Sequence, residues 1–366
     1  MNIHLKKFFL FTAFTAMIFS CKKSNKNIEP PGAVELKDSV IVSNLSHPWE
    51  ILWGPDNHIW MTEREGKISR LNPATGNVSL LHTVTDVSAM GEGGLLGMTL
   101  HPDFPSTPYI YVVYNYNSGS GYNEKVVRYS YNGSGLQAPF ILIDNLDASN
   151  IHNGSRLLFV DGKLFITTGD ASNAAVAQNK DLPNGKILRL NPDGSIPTDN
   201  PELNNPFWSM GHRNPQGLVF ANGKLYSSEH GPGNDDEINI IEKGRNYGWP
   251  NVQGACNSPT EQAFCSTVNV AEPIKSWTPT IATCGLDYYN SDLIPQWKNS
   301  LLLVALKNSR LYQIKLDNNF TTVAGINDYY TYKYGRLRDL CISPEGKVYI
   351  ASSNGTDDKI VEITKK

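Results

Sequence analysis

One phrase, returning at intervals along the chain, constrains the fold more than any other feature. It reads Leu52-Trp53-Gly54-Pro55-Asp56-Asn57-His58-Ile59-Trp60, then Leu158-Phe159-Val160-Asp161-Gly162-Lys163-Leu164-Phe165. It returns as Val219-Phe220-Ala221-Asn222-Gly223-Lys224-Leu225-Tyr226 and as Ile342-Ser343-Pro344-Glu345-Gly346-Lys347-Val348-Tyr349. Each copy is an apolar strand, a tight turn and a second strand ending in an aromatic residue. Asn-Gly and Asp-Gly pairs tolerate the positive φ that such hairpin turns require. A polar segment and a further strand follow, as at 66–71, 186–190 and 359–363.

Two degenerate copies, at 99–114 and 300–316, fill the gaps. The count is then about six units of roughly 45–75 residues, the size of a propeller blade with its loops. The fold expected is all-β, a six-bladed β-propeller over residues 39–366. A β-sandwich with long insertions is the alternative, but it has no reason to repeat one hairpin. With 40% hydrophobic and 18% charged residues, 30 Gly, 22 Pro and 17 Tyr, the composition favours many short strands. No amphipathic helix longer than two turns is expected. A net charge of −3 gives no global attraction to nucleic acid, and that partner class is set aside.

The N-terminal stretch reads as an address. Lys6 and Lys7 precede an apolar run over 8–19, and Ser20-Cys21 follows at once. Positive charge, apolar run and small residue in that order form a secretory signal. A run of about 12 residues is too short to span a bilayer. The cysteine placed after it suits a lipoprotein, so 1–21 is read as signal peptide with Cys21 lipidated. Residues 22–38 are read as a flexible tether. The chain is therefore expected outside the cytoplasm, in the periplasm or at the cell surface, touching a membrane through its lipid anchor only. In that setting Cys256 and Cys265, which bracket a short polar loop, are expected to form a local disulfide. Cys284 and Cys341 are either a second pair or two buried thiols. No cysteine or histidine spacing points to zinc.

Propellers gather their functional loops at one end of a central channel. The longest intervals lie at 170–184 and 249–287, and four segments carry more polar chemistry than a turn needs. In Ile151-His152-Asn153-Gly154 the histidine is either a base working near neutral pH or a structural residue. In Gly211-His212-Arg213-Asn214-Pro215-Gln216-Gly217, consecutive polar side chains either face a pocket or cap neighbouring carbonyls. Gly231-Pro232-Gly233-Asn234-Asp235-Asp236-Glu237 sets acids beside Gly and Pro, which suits a hard cation taking carboxylates and carbonyls together. It lacks EF-hand spacing, and a solvated acidic loop is the bland reading. Arg336 and Arg338 alternate, and from an extended chain they point the same way. With Lys307 and Arg213 they could rim the channel and hold a polyanion through guanidinium forks, or be surface charges.

These segments, in this order, resemble the soluble quinoprotein sugar dehydrogenases, the glucose and aldose dehydrogenases that use pyrroloquinoline quinone (PQQ). Asp235-Asp236-Glu237-Ile238-Asn239, Asn246-Tyr247-Gly248-Trp249-Pro250, Gly185-Lys186-Ile187-Leu188-Arg189-Leu190-Asn191 and Gly93-Gly94-Leu95-Leu96-Gly97 belong to the same pattern. The likeness runs from about residue 40 to the end. It implies a six-bladed propeller, in agreement with the repeat count. It further implies that His152 is the general base on the sugar's anomeric hydroxyl and that Arg213 and Asn214 contact the quinone oxygens. Lys307, Arg336, Arg338 and Thr280 then match further cofactor contacts. The carbonyls of Gly231 and Pro232 match ligands of the calcium ion (Ca2+) that polarises the quinone. Glu237 and Tyr247 fall where the family binds additional calcium, and Glu92 where a polar residue reaches the sugar. The activity implied is oxidation of an aldose at C1 to the lactone, with electrons passed to an acceptor the sequence does not name. Ile151 stands where glucose-oxidising members carry an acid, and His230 where a glutamine is expected. The stretch after Trp249 is rewritten around Cys256 and Cys265, so the sugar need not be glucose.

Two other readings compete. The same fold serves in non-catalytic glycan- or protein-binding propellers, but these have no reason to keep a base together with a cationic rim. A calcium-dependent lactonase would need acids and Asn converging on a central metal, whereas the acids here cluster in one loop.

Overall fold

Six four-stranded antiparallel sheets account for the strands of the computed structural model, which describes residues 32–119 and 121–366. Blade 1 starts with the inner strand Pro48–Trp53, blade 2 with Leu95–Leu100 and blade 3 with Gly154–Val160. The inner strands of blades 4, 5 and 6 are Pro215–Ala221, Thr283–Tyr289 and Leu337–Ile342. Within each blade the strands follow chain order outwards, except that blade 6 takes its outermost strand, Leu36–Leu45, from the N-terminal end. That strand pairs antiparallel with Asp358–Lys365, Leu36 opposite Lys365, so the ring is closed by main-chain hydrogen bonds.

The recurring phrase is the inner hairpin of blades 1, 3, 4 and 6, and 99–114 is that of blade 2. Asn222 and Gly223 show why the turn residues matter, since their φ values of 50° and 73° are both left-handed. Blade 5 departs from expectation. Segment 300–316 holds its second and third strands, Ser300–Ala305 and Arg310–Leu316, not the inner hairpin. Its inner strand turns through a longer connection containing the short 3-10 turn Pro295–Trp297, so no Asn-Gly signature marks it.

Two other expectations are corrected. The interval 249–287 is not all loop, because it carries the outer strand of blade 4, Lys275–Trp277, and the start of Thr283–Tyr289. It also holds α1 (Pro259–Val268), capped by Ser258 and Glu261 and bridged by the Cys256–Cys265 disulfide. None of its residues is buried, so it has no apolar stripe by which to be recognised. The sheet begins at Leu36, inside the stretch read as tether. Residues 1–31, with the expected signal and Cys21, lie outside the described residues. Cys284 and Cys341 are both free and buried.

Facing blades bury apolar clusters between them. Trp60, Leu95, Val112 and Tyr114 pack between blades 1 and 2, and Tyr289, Trp297, Leu302 and Ile350 between blades 5 and 6. Burial of each such side chain is worth about 1.5–3 kcal/mol. The axis itself is polar. Arg156 reaches from blade 3 to Glu50 of blade 1 at 2.6 Å and Asp339 of blade 6 at 3.1 Å, its guanidinium over the Trp49 ring. Up-and-down pairing sends every inner hairpin turn to one face. The loops that enter the inner strands, and those joining second to third strands, therefore gather at the other.

Candidate active site at the mouth of the channel

The loop entering blade 3 carries His152, held in the left-handed region at φ 62°. Gly169, at the end of the neighbouring strand, lets that backbone approach, because a Cβ there would lie 1.8 Å from the His152 carbonyl oxygen. His152 Nδ1 sits 2.9 Å from Oδ1 of Asp170, a buried acid. The same oxygen accepts the Ser172 amide at 2.8 Å, and Oδ2 accepts the Trp249 indole N–H at 2.9 Å. With Asp170 engaged only as an acceptor, the consistent tautomer is Nδ1–H, which leaves the Nε2 lone pair free. Glu92, from the loop entering blade 2, accepts the His152 amide at 3.3 Å.

The loop entering blade 4 is fixed from below. Glu229 accepts the backbone N–H of Arg213, that of Asn214 at 3.3 Å, and His212 Nδ1 at 2.9 Å. His212 is fully buried, with Nε2 2.9 Å from Ser209 Oγ and its ring stacked on Tyr247. For His212 and Gln216 the scaffolding alternative is therefore the one observed. Gln216 donates to Asn214 Oδ1 at 3.0 Å and accepts Arg338 Nη1 at 2.9 Å. Arg213 and Asn214 differ, because Arg213 Nε and Asn214 Nδ2 are buried without a partner. Burial pulls the Arg213 guanidinium below its ordinary range, against the opposing pull of Asp170, Glu229, Asp236 and Glu92.

The opposite rim comes from blades 5 and 6. Lys307 is exposed and donates to Thr280 Oγ1 at 3.1 Å. Arg336 and Arg338 do not extend side by side as the alternation implied. A register shift between Leu337 and Asp339 leaves Arg336 exposed at the rim and Arg338 buried a level deeper, against Gln216 and Cys284. Burial and the charge of Arg338 both pull Arg336 below its ordinary value, so the two cations remain neighbours.

The loop 230–237 is organised by one acid. Asp236 accepts the Gly231 N–H at 2.8 Å through one oxygen, and Ile281, Ala282 and Thr283 N–H at 2.8, 2.6 and 3.3 Å through the other. This acid, taken from sequence as a candidate cation ligand, is instead saturated by backbone and fastens Gly231 to the segment beside Thr280. His230 is half-buried and meets the Thr283 carbonyl at 2.5 Å. A void of about 20 Å³, room for one water or ion, is lined by Gly231, Pro232, Glu237 and Tyr247. Burial pushes Glu237 up to about 8, and its carboxylate accepts Asn239 Nδ2 and Gly254 N–H, each at 2.8 Å. The Tyr247 hydroxyl is spent on the Ile240 carbonyl and the Glu242 amide. Among the described residues no three His, Cys, Asp or Glu side chains converge as a metal-ligand set. A cation here would lean on carbonyl oxygens.

Asp170, Glu229 and Trp249 were given no role from sequence, and Asp236 only that of a cation ligand. Asp170 could have drawn notice as an acid following Thr168-Gly169 at a strand end, but its link to His152 appears only in the fold.

A propeller whose one mouth joins a His–Asp pair to a cationic rim defines an enzyme-like class, distinct from a smooth binding platform. The chain belongs to the glucose/sorbosone dehydrogenase family, whose profile matches residues 45–362. It is 35% identical to quinoprotein glucose dehydrogenase B of Acinetobacter calcoaceticus over 84% of this chain and 83% of that protein. To the aldose sugar dehydrogenase YliI of Escherichia coli (strain K12) it is 34% identical, over 89% and 91% of the two chains. The PQQ-bound aldose sugar dehydrogenase of Streptomyces coelicolor superposes with a TM-score of 0.79 at 30% identity, covering 92% of this chain and all of that one.

Proposed function

We propose that the mouth site oxidises an aldose at C1 to its lactone, with PQQ and calcium as cofactors and His152 as general base. The observation that carries the reading is the His152–Asp170 pair facing Arg213 and Asn214, whose buried Nε and Nδ2 donors have no acceptor among the described residues. Such donors match the oxygens of a quinone. When bound, the calcium-polarised quinone supplies the hydride acceptor.

The chain's own residues do the rest. Arg213, Asn214, Thr280, Lys307, Arg336 and Arg338 hold the polyanionic group, and the carbonyls of Gly231 and Pro232 hold the cation. Glu237 and Tyr247 are the candidates for a further calcium, Tyr247 through its backbone. His152 Nε2 takes the proton from the anomeric hydroxyl, Asp170 keeps Nδ1 protonated, and Glu92 orients the sugar. Cys21, lipidated after signal removal, would hold the enzyme outside the cytoplasm beside a membrane electron acceptor.

The test is to load the purified protein with PQQ and calcium and follow dye reduction over a panel of aldoses. Sugar-dependent reduction is expected. No reduction by any aldose with the quinone demonstrably bound would leave a non-catalytic glycan- or protein-binding propeller as the better reading. Labelled palmitate should enter the wild-type chain but not Cys21→Ala, and equal labelling of both would remove the anchor.

A further inference from the structure

The channel has a second end. On the face of the inner hairpin turns lies a cavity of about 240 Å³, and it adjoins another of about 460 Å³ that shares Leu52, Trp53 and Thr99 as a wall. The first alone falls below the usual small-molecule range of about 300–1,000 Å³, and with its neighbour the space enters that range. No residue that lines either cavity belongs to the mouth site.

The inner cavity carries an unbalanced set of polar groups. Arg156, only 4% exposed, spends Nη1 on Glu50 and Asp339 and Nε on the Gln216 carbonyl, yet its Nη2 has no partner. The Trp53 indole N–H, in the wall common to both cavities, is also buried and unpartnered. Asp287, on the blade 5 side, accepts one N–H from Tyr288 at 2.7 Å and forms no ion pair among the described residues. Burial, reinforced by Asp339, pushes its carboxyl up to about 7. Two donors without acceptors and an acid with a single donor thus border one space.

An anion would serve only the donors and would meet the acids, and a metal cation would serve only the acids. A hydroxyl both donates and accepts at one atom, and vicinal hydroxyls satisfy both sets together. The aromatic face of Trp53, stacked on Tyr349, and the apolar side chain of Leu158 offer surface to the C–H face of a ring. We infer that this cavity, on the face opposite His152, is a second binding site, for a neutral saccharide. It does not depend on the reaction proposed at the mouth.

The probes are methyl glucoside and trehalose, which have no free anomeric hydroxyl to oxidise, titrated calorimetrically into the full chain. Asp287→Ala and the cavity-filling Leu158→Trp should each weaken binding by about tenfold or more. His152→Ala should leave this binding unchanged, and sugar turnover and circular dichroism of the two cavity variants should match the unaltered protein. Asp287→Ala removes no buried apolar contact, so it stands as the test if Leu158→Trp fails to fold. Failure of the unaltered protein to bind either probe, binding that survives substitution, or soaked crystals holding only water in the cavity would each overturn the proposal.

Discussion

His152 Nδ1 and Asp170 Oδ1 lie 2.9 Å apart, with the acid 2% exposed. The pairing sets which ring nitrogen carries the proton, and the Trp249 and Ser172 N–H groups fix the carboxylate so that it cannot swing away. Asp170→Asn would keep the shape but present an amide that can itself donate to Nδ1, favouring the opposite tautomer. Turnover is expected to fall by about two to four powers of ten with little change in quinone affinity. Steady-state kinetics beside a quinone titration checks this, and equal loss of affinity would mean that Asp170 serves only the fold.

Asp236 joins two loops that separately carry Gly231 and Thr280. Asp236→Ala leaves up to four N–H groups without an acceptor, and each one that water cannot reach costs about 1–3 kcal/mol. Thermal unfolding should drop accordingly. Calcium affinity should fall more steeply than in a destabilised control such as Leu71→Ala, which is buried in a cluster that shares no residue with the loop contacts of Asp236.

Glu124 is buried among Ser155 Oγ at 2.5 Å and Asn115 Nδ2 at 3.3 Å, and burial pushes its carboxyl up to about 8 from an ordinary 4.5. Between those values the folded protein binds the proton more tightly than the unfolded chain. Stability from this group is therefore full below 4.5 and is lost as pH rises towards 8, by up to about 1.4 kcal/mol per pH unit. Urea unfolding at several pH values should show that decline, and Glu124→Gln, permanently neutral, should make it shallower, leaving the part due to Glu237 and Asp287. A slope unchanged by the substitution would assign the effect to another group.

The Cys256–Cys265 bridge closes a short loop around a helix with no buried residue. Closing such a loop is worth up to about 3 kcal/mol, but only to the element it restrains. In Cys256→Ser/Cys265→Ser, amide exchange should rise over 259–268 while the inner strands stay protected. Loss of protection throughout the blades would show that the loop supports the ring.

The sequence reading succeeded where structure is local. Asn222-Gly223 sets a left-handed turn by itself, so the inner hairpins, and with them the blade count, were visible without any tertiary information. Blade 5 misled because its inner hairpin turns through a longer connection lacking that dipeptide. α1 was missed because a helix that buries nothing leaves no apolar period. The polar density around His152 and Arg213 was likewise readable. The residues that hold them in place were not, since Asp170 acts across 18 positions, Glu229 across 16 and Asp236 across 45. Nothing short of the folded ring brings those partners together.

In the proposed reaction His152 is the base, and the cationic rim, not His152, holds the quinone. The most direct measurement is a comparison of wild-type and His152→Ala protein, both loaded with PQQ and calcium, for bound quinone by absorbance and for sugar-dependent dye reduction. Equal quinone occupancy and a fall in turnover of about two to four powers of ten are expected. Turnover within a few-fold of wild type at equal occupancy would contradict this role of His152.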